Sequence, residues 1–89
     1  MNLTAEQRLS QWVNWFGVFE PGIYTYVQLT TLLKTGISQG QKQVIRCVLE
    51  LWSAENFNFK IRDALVIWGK PETDAFKKIL DDIEKNGFP

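Results

Sequence analysis

The sequence has no histidine, a single cysteine, three prolines and no surplus charge of either sign. Histidine is the usual side chain for proton transfer near neutral pH, so its absence argues against ordinary acid–base catalysis. With one cysteine beside it, no zinc site of ordinary type can be assembled, and no internal disulfide framework is available. Ten basic residues cancel ten acidic ones, which leaves no basic excess to neutralise phosphates. No run approaches the ~18 apolar residues of a membrane-spanning helix. Residues 21–33 are uncharged but carry Thr, Gln and Gly and stop too early. The opening Met-Asn-Leu-Thr-Ala-Glu-Gln-Arg has no basic start leading into an apolar run, so no secretory signal is read and a cytoplasmic setting is expected. Gly36 and Gly40 fit neither the dinucleotide nor the nucleotide phosphate-loop pattern.

What is present suits one helical domain over residues 1–89, with 45% apolar and 22% charged residues. Four Trp, two Tyr and six Phe help to supply a core at a size where one is marginal. Three segments open with the same device. Thr4 with Gln7, Thr25 with Gln28 and Ser38 with Gln41 each fit a capping box, in which the hydroxyl accepts from a free helix N–H and the Gln reaches back.

The spacing predicts helices over 5–16, 26–35, 39–54, a fourth ending at Gly69 and a fifth starting near Pro71. In the first, Leu9, Trp12, Val13 and Phe16 share one face, and Gly17 ends it. The second carries Leu29, Leu32 and Leu33 and stops at Gly36. The third is apolar over more than half its circumference, through Val44, Ile45, Cys47, Val48 and Leu49 among others. A surface helix needs a stripe of only ~100°, so this one is expected at the centre of an all-α bundle of four or five short helices.

Two stretches carry a rival signal. β-Branched and aromatic residues dominate 23–27, and Phe57, Phe59 and Ile61 alternate with polar neighbours, so a minor β-ribbon from 23–27 and 57–61 is one expectation. The other is that Asn58 caps a helix whose core face is Ile61, Ala64, Leu65 and Trp68, with Val66 and Ile67 off that face. In the fifth helix Phe76, Ile79, Leu80 and Ile83 form a narrow stripe, and Asn86-Gly87 closes it.

Catalytic candidates are few. Cys47 lies on an apolar arc and reads as a packed, inert thiol rather than a nucleophile. Asp74, Asp81, Asp82 and Glu84 are interleaved with Lys77, Lys78 and Lys85, and the i,i+4 pairs Asp74–Lys78 and Asp81–Lys85 describe a solvated face. No enzyme, cofactor or metal is therefore expected.

Charge is unevenly spread. Between Leu9 and Leu33 the only charged residue is Glu20, whereas Trp12, Trp15, Phe16, Phe19, Tyr24 and Tyr26 all fall there. Such composition marks an interface core, and it also suits the interior of a small domain. As an interface it implies a non-catalytic adaptor, regulator or inhibitor that binds a protein, with Trp15 and Phe19 as leading contacts and a second copy of the chain as one candidate partner.

Two resemblances complete the reading. Leu32-Leu33-Lys34-Thr35-Gly36-Ile37-Ser38-Gln39 resembles the turn of a helix-turn-helix. That resemblance implies a recognition helix offering Gln39, Gln41, Lys42, Gln43 and Arg46 to DNA. The chain departs from the pattern at Leu32, where a small residue is usual, and at Lys42, where an apolar one is usual. In the C-terminal half, Gly40-Gln41, Val44, Leu51-Trp52-Ser53-Ala54-Glu55, Phe59 and Trp68 resemble small bacterial and mobile-element proteins of no assigned function. This implies a bacterial or phage setting and no activity.

Overall fold

The computed structural model describes residues 3–89 as five helices: α1 (Ala5–Phe16), α2 (Tyr26–Leu32), α3 (Gln39–Ser53), α4 (Ile61–Ile67) and α5 (Lys70–Asn86). All three capping boxes form. Thr4, Thr25 and Ser38 each accept from the backbone N–H of the Gln three residues on, and that Gln returns a side-chain bond. Each box satisfies two donors that the first turn cannot pair internally.

The bundle is organised around α3, which packs against α1, α2 and α4, while α5 is held mainly by α1. Val44, Ile45, Cys47, Val48 and Leu49 of α3 are completely buried, as its wide apolar arc requires. Leu9, Trp12 and Val13 of α1, Leu29 of α2, Ala64 of α4 and Ile79 of α5 meet them from the surrounding elements. Each fully buried aliphatic side chain is worth roughly 1.5–3 kcal/mol. At one end Phe16, Phe59, Trp68 and Phe76 form an aromatic cluster, with Phe16 and Trp68 ring centroids 5.2 Å apart. Tryptophan N–H groups tie elements together. Trp12 donates to Asp82, Trp52 to the Ala5 carbonyl at 2.8 Å, and Trp68 to the Gly40 carbonyl.

The β-ribbon does not form, and no strand occurs among the described residues. Its backbone groups are already committed. Ser10 takes both polar backbone groups of Tyr24, and Gln28 takes the Thr25 N–H. At the other segment one oxygen of Glu50 accepts from the N–H groups of Phe57 and Phe59, at 3.0 and 2.6 Å. Asn58 adopts φ 60° and therefore does not cap α4, which starts from Lys60 without a side-chain cap. The alternation over 57–61 thus marks a loop wrapped on one carboxylate.

Helix α2 ends three residues early. Thr30 and Thr31 hydroxyls donate to the Val27 carbonyl and Thr35 to that of Leu32, while the backbone tightens through Lys34 N–H to Thr31 and Thr35 N–H to Leu32. Threonines that serve the backbone locally offer it an alternative to a continuing helix. No helix among the described residues is long and apolar enough to cross a membrane.

Candidate functional site

Ser10 and Asn14 stand one turn apart on α1, and each grips the segment that follows the Pro21-Gly22 turn. The Asn14 amide donates to the Gly22 carbonyl at 2.9 Å and accepts from the Gly22 N–H at 3.2 Å. The Ser10 hydroxyl accepts from the Tyr24 N–H at 2.8 Å and donates to the Tyr24 carbonyl at 3.1 Å. Gln41, while closing its capping box, also donates to the Val18 carbonyl at 2.9 Å. The Tyr24 hydroxyl bonds the Glu20 carbonyl, and its ring lies against Phe19. Residues 18–25 are thereby fastened to α1 and to the start of α3.

Between the two gripped residues, Ile23 projects outward with 84% of its surface in solvent, and Val27 on α2 follows at 69%. Two shallow, open depressions meet at Ile23. One runs along α1 past Ser10, Gln11, Asn14 and Trp15, and the other runs past Pro21, Tyr24, Val27 and Leu32. An aliphatic side chain held out by four hydrogen bonds to its neighbours is preorganised for contact, because little conformational freedom is left to lose on binding.

The candidate contacts divide sharply. Trp12 is fully buried and Phe16 is 3% exposed, so both belong to the core and offer no surface. Trp15 is half-buried and lines one depression, with the Lys78 ammonium 4.7 Å from its ring centroid. It is the one tryptophan whose indole N–H has no partner among the described residues. Phe19 and Tyr24 are half-buried and brace the turn. Tyr26 faces away from this edge. Its ring meets Trp52 and Phe57, and its hydroxyl donates to Glu55, whose carboxylate holds that hydroxyl above its ordinary pKa.

Of the residues implied by the helix-turn-helix resemblance, Gln39 is exposed, Lys42 and Arg46 are half-buried, and Gln43 is buried with its side-chain oxygen unpaired. A buried Gln43 cannot reach a base edge. Cys47 is fully buried, and burial together with the nearby Glu50 carboxylate pushes its thiol far above the ordinary range, which suits a packed side chain.

The carboxylates of α5 also differ from the sequence pattern. Asp81 pairs with Lys85 at 3.0 Å as its spacing predicts, but Asp74 pairs with Lys70 at 2.7 Å, and Lys78 goes to Trp15. Asp82 is not on the solvated face. One of its oxygens accepts from Arg8 at 2.8 Å and from the Trp12 indole at 2.8 Å, the other accepts from Asn86, and Arg8 also donates to the Gly87 carbonyl. Burial by itself raises the Asp82 carboxyl, but donation from Arg8, Trp12 and Asn86 outweighs it, and the group sits below its usual range. Among the described residues no three His, Cys, Asp or Glu side chains gather in a way that could hold a metal ion.

Ile23, Val27 and the Ser10–Asn14 grip were not singled out by the sequence pattern. The available signal was two short polar side chains at i and i+4 bordering the core stripe of α1, followed by a turn carrying one aliphatic residue. A second exposed apolar place lies on α4, where Val66 is 86% and Leu65 49% exposed, but Lys60, Arg62 and Asp63 are set among these residues. Compared with known proteins, the chain has no significant match to a family model, a curated protein or a solved structure.

Proposed function

We propose that this domain is a non-catalytic protein-binding module, an adaptor, regulator or inhibitor, whose contact surface is the α1–α2 edge centred on Ile23. The observation that carries this reading is the grip of Ser10 and Asn14 on both sides of a residue left 84% exposed. A lone exposed aliphatic is ordinary, whereas one presented on a pinned turn beside a charge-poor helix face has the preorganisation of a binding anchor. Trp15 and Val27 extend the apolar surface on either side, and Phe19 and Tyr24 support it from below. A cytoplasmic setting, bacterial or phage, accompanies the proposal.

DNA binding through α3 is the rival reading, and it has less support. Lys42 and Arg46 are one turn apart and form no salt bridge among the described residues, so they remain candidates for phosphates. Three neighbouring helices nevertheless cover α3, and a groove-reading helix needs a free face.

The test is an Ile23→Asp/Val27→Asp variant assayed for association with its partner in the host cell, alongside Val66→Asp. The first should lose association while keeping its helical circular dichroism, and the second should bind normally. Equal binding by all three proteins would reject this edge as the contact surface.

A further inference from the structure

Charge around the strip narrows the kind of partner. Tyr24 lies at Ser10 and Gly22 at Asn14, so residues 22–24 run antiparallel to α1. Glu6 therefore stands one turn beyond one end of the gripped segment, and Glu20 lies just beyond the other. Among the described residues these two carboxylates are the only charged side chains that line the two depressions. Both are exposed, and among the described residues neither forms a salt bridge. Lys78 is held over the Trp15 ring and lines neither depression. Between them the strip is uncharged, with Trp15, Ile23 and Val27 as its apolar contacts, and a carboxylate brackets each end.

We infer that its occupant is a basic amphipathic segment of another protein, with an apolar stripe that packs on Ile23, Val27 and Trp15 and lysine or arginine side chains that meet Glu6 and Glu20. The inference rests on the contact-surface reading and adds the chemistry of the partner. Complementary charge at the edge of an apolar contact sets orientation and rejects wrong partners. The same charges disfavour a second copy, because a two-fold face-to-face pairing would set these acidic ends against their own kind. They also disfavour an anionic lipid surface.

The test is a titration of the intact domain with three designed amphipathic peptides that share one leucine stripe and differ only in flanking residues: lysine, serine or glutamate. Methyl signals of Ile23 and Val27 and the Trp15 indole signal are followed by NMR. The lysine peptide should shift all three and bind more tightly than the serine peptide, with the glutamate peptide weakest. Each of Glu6→Gln and Glu20→Gln should weaken the lysine peptide by roughly two- to fivefold, as should added salt. Equal affinity for the lysine and glutamate peptides would overturn the charge inference and leave the contact surface standing. Loss of all binding in Ile23→Asp supports the surface, whereas its retention would overturn both. Binding of no peptide, concentration-dependent shifts without peptide, or shifts at these residues with anionic vesicles would each overturn the basic-segment proposal.

Discussion

Removing the Asp82 carboxylate should unfasten α5 from α1. In the folded domain its carboxylate serves Arg8, whose side chain is 10% exposed, and the indole of Trp12, which is fully buried. Asp82→Ala leaves a guanidinium and an indole N–H without their acceptor. Breaking a fully buried ion pair costs about 3–5 kcal/mol, and partial access of water to Arg8 lowers the expectation to roughly 2–4 kcal/mol. A domain of this length has about 5–13 kcal/mol in total, so the loss is a large fraction. At ~4–8 °C per kcal/mol the Tm should fall by roughly 8–32 °C. Asp82→Asn keeps one acceptor oxygen and should fall about half as far.

The pH dependence gives an independent check. The folded state holds Asp82 ionised more readily than the unfolded chain does. Its contribution is therefore complete above the ordinary carboxylate value near ~4 and is lost as pH falls through the lower folded value. Thermal melts of the parent should show an acid limb below about pH 4 that is shallower in Asp82→Asn. Asp81→Asn, which removes the exposed i,i+4 pair with Lys85, should move Tm by no more than ~4 °C. An Asp82→Asn protein with the parental Tm and an undiminished acid limb would refute this assignment of the clamp.

Further outcomes follow from the loop between α3 and α4. Glu50→Ala frees the Phe57 and Phe59 N–H groups, and should cost about 1.5–3 kcal/mol in chemical denaturation and speed amide exchange at both positions. Ala54 ends α3 in the left-handed region at φ 62°, so Ala54→Gly should stabilise by roughly 0.5–1 kcal/mol, the relieved strain exceeding the added chain entropy; a lower Tm would contradict that geometry. The Cys47 thiol should react with a small disulfide reagent only at the rate of unfolding, and fast labelling of the native protein would place it at the surface.

The helices were legible because their signals are local. Capping pairs, apolar periodicity and glycine stops act within a few residues, and they located the five described helices and the central position of α3, missing only the end of α2 and the cap of α4. What stayed hidden depends on pairings distant in sequence. Arg8 meets Asp82 across 74 positions, so the acidic pattern of α5 could not show which carboxylate turns inward. The alternation at 57–61 arises from Glu50 collecting two N–H groups, an arrangement whose sequence pattern matches that of a strand. The charge-poor third divided for a similar reason. The shared face of α1 takes in Phe16 and leaves Trp15 off it, but only the grip on Gly22 and Tyr24 reveals that Ile23 is carried outward.

The central claim is tested most directly by placing a photoreactive benzophenone side chain at position 23, and separately at position 66, and irradiating living host cells. Position 23 should give one discrete adduct with a different protein, weakened when Asn14 is also changed to alanine, and position 66 should give none of the same mass. The same adduct from both positions, or from position 66 alone, would contradict the account.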